Sequence, residues 1–121
     1  MPADTRSEIV IQTQFRGRAR MLCPRVHIVA IPNAAKRTRW AAQQAKREGM
    51  ATGFPDVMCI WPGGIAFVEF KSAKGRLSDN QSEWLDRLTA LGFPATVSRD
   101  PDHALAFLRS AGAPFIGEIA A

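Results

Sequence analysis

The stretch Gly53–Gly75, GFPDVMCIWPGGIAFVEFKSAKG, decides the fold. Two apolar runs, Asp56–Trp61 and Ile65–Lys71, flank Pro62-Gly63-Gly64, and two such runs around a Pro-Gly turn read as a β-hairpin. The charges are not scattered over it. Asp56 opens the first strand while Glu69 and Lys71 close the second, so all three gather at the hairpin's open end. Side chains alternate along a strand, which puts Ile65, Phe67, Glu69 and Lys71 on one face. A two-residue turn at Pro62-Gly63 sets Asp56 opposite Glu69; a three-residue loop sets Val57 there, with Asp56 on the diagonal. In either register two carboxylates and an ammonium converge.

Carboxylates held that close repel each other unless positive charge lies between them. Lys71 supplies part of it, and a divalent cation supplies it better. Carboxylate oxygens suit Mg²⁺ or Mn²⁺ rather than Zn²⁺. Such an ion binds a phosphate oxygen and acidifies a bound water, while Lys71 orients that water or offsets developing charge. These are the parts needed to hydrolyse a phosphodiester. The competing reading is a solvated ion-pair cluster at a sheet end, a common surface feature of little energetic consequence.

Outward from the hairpin, the pattern gives helices and short strands. Ile11, Phe15, Ala19 and Leu22 form one apolar stripe across a helix over Ser7–Leu22, although β-branched Ile9-Val10-Ile11 favours a strand. Arg25–Ile31 reads as a strand ended by Pro32-Asn33, and Ala34–Glu48 as a helix stopped at Gly49. Ser78–Leu91 reads as a helix with Trp84, Leu85, Leu88 and Leu91 on one face. Ala95–Arg99 is a short strand, and Pro101–Ala111 a helix with proline in its first turn. The order α, β, α, β, β, α, β, α predicts an α/β fold, a small mixed β-sheet flanked by helices, in one domain over residues 1–121.

Hydrophobic residues make up 46% of the 121 residues and charged residues 22%, a balance that predicts a globular chain with a modest core. No apolar run is long enough to cross a membrane, and the N-terminal run lacks the pattern of a signal peptide. Cys23 and Cys59 have no metal-ligand spacing and read as reduced, buried thiols of a cytoplasmic protein. Residues 1–50 hold ten Lys/Arg against three Asp/Glu, and residues 51–121 hold six against eight. A basic half beside an acidic one fits a polyanionic partner, though arginines that merely solvate helix faces give the same count.

Pro55-Asp56 followed by Glu69-Phe70-Lys71 resembles the PD-(D/E)XK signature of a large nuclease superfamily. The wider context is similar to one branch, the VRR-NUC (virus-type replication-repair nuclease) domains. Gly53 precedes the Pro-Asp pair, and Gly75-Arg76-Leu77-Ser78 leads to Gln81 as in the family's GKLS..Q segment. Leu88–Phe93 leading into Val97-Ser98-Arg99 is also similar, and Ile31-Pro32-Asn33 with a helix carrying Glu8 and Gln12 matches more loosely. The likeness runs from about Ser7 to Leu108.

The resemblance implies a restriction-endonuclease-like core and a set of roles. Asp56, Glu69, the backbone carbonyl of Phe70 and Glu8 would hold Mg²⁺ or Mn²⁺; Lys71 would position the attacking water; Gln81 would stand beside the centre. Two of these residues have local alternatives. Thr5–Glu8 reads as a capping box in which Glu8 reaches back to the helix start, yet Glu8 also falls on the core-facing stripe, where a buried acid needs a partner. Ser78–Gln81 is likewise a capping box, and Gln81 can cap and face the site together. Lys36, Arg37, Arg39, Lys74 and Arg76 are candidates for phosphate contact, while Trp40 reads as core and His27 and His103 as structural or surface residues. The implied function is a metal-dependent DNA endonuclease acting on branched, junction or flapped DNA in replication, recombination or repair, as a homodimer without a nucleotide cofactor. The alternatives are a sequence-specific restriction-type nuclease, which needs major-groove loops that the sequence lacks, and a non-catalytic DNA-binding module.

Overall fold

In the computed structural model, residues 3–32 and 38–119 are described. The hairpin is built as the turn chemistry predicts. Strands β2 (Val57–Trp61) and β3 (Gly64–Phe70) pair antiparallel, with Trp61 opposite Gly64 and Val57 opposite Val68. That register leaves Pro62-Gly63 as a two-residue turn, with Gly63 at φ +85° where only glycine is at ease. Asp56 and Glu69 are the next facing pair beyond the ladder.

Strand β1 (His27–Ala30) pairs antiparallel with the outer side of β2, and β4 (Ala95–Ser98) pairs parallel with β3. The result is a four-stranded mixed sheet in the order β1-β2-β3-β4. β1 is shorter than the Arg25–Ile31 run predicts, although the Ile31 amide still donates to the Asp56 carbonyl at 2.8 Å.

Helices cover both faces, because alternation sends β3 side chains to two different cores. Ala66, Val68 and Phe70 pack with Val57 and Cys59 against α1 (Glu8–Leu22) and α4 (Pro101–Ser110). Ile11 and Phe15 from α1 and Leu105 and Leu108 from α4 are fully buried there. Phe15 and Phe70 meet at 5.3 Å between ring centroids, and truncating either in such a core costs about 3–5 kcal/mol. On the opposite face Phe67 meets Phe54, which meets Trp84 of α3 (Asp79–Ala90) edge-on.

Three local readings change. The α1 cap is Ser7, whose Oγ accepts from the Val10 amide, so Glu8 is the first helical residue and the Thr5–Glu8 capping box does not form. The β-branched run is tolerated because Ile9 and Val10 face outward while Ile11 is buried. Leu91 caps the end of α3 and is 64% exposed, so the apolar face of that helix ends at Leu88. Helix α2 (Arg39–Arg47) is capped by the Thr38 hydroxyl; the start of the predicted helix, with Lys36 and Arg37, lies outside the described residues. Trp40 on α2 is 71% exposed rather than core. No helix among the described residues is long and apolar enough to cross a membrane.

Candidate active site

Each hairpin-end residue is placed by a different part of the fold. Pro55 is fully buried and fixes the backbone into Asp56. The Asp56 Oδ2 then accepts the Phe70 amide at 2.9 Å across the hairpin, extending the strand pairing by a side chain. Glu69 is the penultimate residue of β3, on the α3 face, and is only 1% exposed. Its Oε2 accepts from Gln81 Nε2 at 3.3 Å. The Lys71 amide donates to the Ser98 carbonyl at 3.0 Å, so the parallel strand β4 carries β3 one residue further and sets the start of the Lys71 side chain.

Gln81 does both things the sequence allows. The Ser78 hydroxyl accepts the Gln81 amide and Gln81 Oε1 accepts the Ser78 amide, a reciprocal capping box. The box turns the remaining Nε2 toward Glu69. Gly53 brings this helix end to the hairpin: at φ +85°, a Cβ there would lie 2.7 Å from Asn80 and 2.8 Å from the Gln81 nitrogen. The glycine before the Pro-Asp pair is therefore a contact point between the first strand and the α3 N-terminus.

Glu8 reaches the site from α1. Its Oε1 lies 3.6 Å from Lys71 Nζ, and the lysine side chain is the more buried of the two at 11% exposure against 35%. Glu8 is thus not buried on the core stripe; its ion-pair partner is Lys71. Among the described residues no group of three or more His, Cys, Asp and Glu side chains lies close enough to hold a metal ion. The hairpin end carries a pair of buried carboxylates at facing positions, Asp56 and Glu69, and two residues beyond Glu69 a Lys71 salt-bridged to Glu8.

Sequence reasoning missed Arg99. Its Nη1 donates to the carbonyls of Ser72 and Gly75 at 2.6 Å each, clamping the loop that follows Lys71 and carries exposed Lys74 and Arg76. Nothing short-range signals it, since the partners lie 27 and 24 residues away. Of the other predicted contacts, Arg39 is exposed at the start of α2. His27 and His103 are exposed, and His103 Nδ1 lies 3.0 Å from Ser98 Oγ.

A family model described as the VRR-NUC domain matches residues 4–100, a span that includes every hairpin-end residue. The chain belongs to the VRR-NUC domain family. A solved structure described as a VRR_NUC domain protein is similar in fold, with a TM-score of 0.70 at 18% identity over 88% of each chain. The comparison with curated proteins returned no match. The VRR-NUC family is a nuclease family that binds DNA, and the restriction-endonuclease-like arrangement of a mixed sheet between helices is the fold of this member.

Proposed function

We propose that this VRR-NUC domain is a Mg²⁺- or Mn²⁺-dependent deoxyribonuclease that hydrolyses phosphodiesters at the open end of the β2–β3 hairpin, selecting branched, junction or flapped DNA. One observation carries the reading: Asp56 and Glu69 are buried carboxylates at facing positions, and the Lys71 ammonium stands two residues beyond Glu69. Burying two like charges side by side is costly without a compensating cation.

The donor set fits a hard divalent ion. Asp56, Glu69 and the Phe70 carbonyl offer only oxygen, and Mg²⁺ is commonly held by one or two carboxylates plus water and substrate phosphate. Such an ion, when bound, polarises a phosphate oxygen and acidifies water. The chain's own groups do the rest. Gln81 Nε2 holds Glu69 in one orientation, and the Asp56 carboxylate is fixed by the Phe70 amide. Glu8 holds the Lys71 ammonium beside them, where it can hydrogen-bond the attacking water or offset charge on the phosphate. Lys36, Arg37, Arg39, Lys74 and Arg76 would contact backbone phosphates.

Shape selection is supported by the two-residue hairpin turn and by the absence, among the described residues, of a long loop between strands β2 and β3 to enter a groove. A homodimer would offer two centres to the two strands of a junction, and sedimentation with and without DNA tests it. The deciding experiment incubates the protein with Mg²⁺ or Mn²⁺ and linear, flapped, forked and four-way DNAs. Cleavage concentrated on branched substrates is expected. Binding without cutting at any metal concentration would sink the enzyme reading in favour of a binding module.

A further inference from the structure

A second basic feature lies away from the hairpin end. The C-terminal half of α1 and the β1 edge strand enclose a groove of about 400 Å³ whose lining includes Arg16, Arg20, Val26, His27 and Val29. Among the described residues no acidic side chain lines it. Three other arginines are paired with carboxylates: Arg6 with Asp4 and Asp100, Arg18 with Asp102, and Arg109 with Glu118. Arg16 differs. Its Nε is buried with no hydrogen-bond partner among the described residues, an unfavourable state for a buried donor.

The helix connects this groove to the site. Glu8, Gln12, Arg16 and Arg20 recur every four residues, forming one ridge that drifts slowly round α1. Glu8 stands at the Lys71 end. At about 1.5 Å per residue, Arg16 lies about 12 Å and Arg20 about 18 Å further along the axis. The Arg18–Asp102 pair lies on the opposite flank of the buried stripe, against α4, while the Arg16–Arg20 flank faces β1.

We propose that this groove seats the phosphate backbone of a nucleic-acid strand, outside the catalytic constellation. For a duplex lying along α1, about 3.4 Å of axial rise per nucleotide sets the seated phosphates roughly four to five nucleotides from the scissile one. The placement of the scissile phosphate rests on the nuclease reading; the anion seat does not. A passing strand suits the groove better than a small phosphate does, because Arg20, His27 and Val29 are exposed along it and leave it open.

The test is binding without catalysis. Fluorescence anisotropy of a labelled DNA oligonucleotide, in EDTA across a salt series, compares Arg16→Gln/Arg20→Gln with Arg18→Gln/Arg109→Gln, which removes equal charge from paired arginines. The groove variant is expected to lose about tenfold or more in affinity and about two units of salt slope, one per phosphate contact. The control should keep its slope within about half a unit. Equal losses in both, or none in the groove variant, overturn the proposal. Arg20→Glu, at an exposed position, gives the same reading should the double variant fail to fold. Inorganic phosphate is the second arm: phosphate that shifts the Arg16 Nε–H resonance at millimolar level, undisplaced by DNA, assigns the groove to free phosphate and also overturns it. Groove-dependent binding with no cutting of any DNA leaves the seat standing while the nuclease reading falls; cutting with groove-independent binding does the reverse.

Discussion

Asp56 carries two loads that substitution can separate. Its carboxylate accepts the Phe70 amide, a structural bond, and offers the negative charge a metal needs. Asp56→Asn keeps an oxygen for the amide but removes the charge, so its urea midpoint should stay close to wild type while Mg²⁺-supported cleavage falls at least about a hundredfold. Activity near wild type in Asp56→Asn would remove Asp56 from the site. Lys71→Ala should lower cleavage by about 10²–10⁴ with DNA binding in EDTA retained, as expected for a group that acts on the reacting water. Gln81 joins a helix cap to a buried carboxylate, so Gln81→Ala should cost about 1–2 kcal/mol in denaturant unfolding and lower cleavage as well. Unchanged cleavage there would make Gln81 a cap alone. Asp56, Glu69 and Lys71 were legible in the sequence because strand alternation and turn length place them without any long-range information. The partner of Glu8 was not, since it joins the first helix to the end of the third strand.

At the scale of elements, the site is a meeting of the hairpin with the N-terminus of α3, and Gly53 is the point of contact. Gly53→Ala meets both a left-handed φ and a Cβ within 3 Å of Asn80 and Gln81, so a loss of about 2–4 kcal/mol is expected in thermal or urea unfolding. A variant as stable as wild type would mean that α3 is not pressed against this turn. Arg99 plays the matching part on the other side. Its hydrogen bonds to Ser72 and Gly75 hold the loop that carries Lys74 and Arg76. Arg99→Gln should cost about 1–3 kcal/mol and speed amide exchange across 72–76, and exchange as slow as in wild type would discount the clamp. The capping boxes illustrate what local sequence can decide. Ser78–Gln81 is followed by a helix whose first turn faces the sheet, and it forms; Thr5–Glu8 competes with a better cap at Ser7, and it does not.

At the scale of the whole molecule, the core that carries the sheet buries two unbonded thiols, Cys23 and Cys59. Burial raises both, pushing Cys59 up to about 12 from its ordinary 9.0, with Cys23 nearby adding to the shift and Arg16 opposing it. A folded pKa above the unfolded one means the Cys59 thiol favours the fold fully below pH 9, and that contribution is lost as pH rises through about 12; Cys23 acts in the same direction. Urea unfolding should therefore weaken between those limits, and Cys59→Ala should flatten the fall; a wild-type profile that stays level would place the thiols outside the apolar core. Element types and order, the hairpin and its turn, and the family signature were all determined by the sequence alone, because periodicity, caps and turns act over a few residues. The open end of a Pro-Gly hairpin has to gather Asp56, Glu69 and Lys71. Only the tertiary structure decided that Glu8 pairs with Lys71, that Gln81 turns to Glu69, that Arg99 clamps the following loop and that the Arg16 Nε is buried without a hydrogen-bond partner among the described residues. Those outcomes depend on which helix packs on which face of the sheet, and packing is settled by burial summed over the whole chain rather than by any local run.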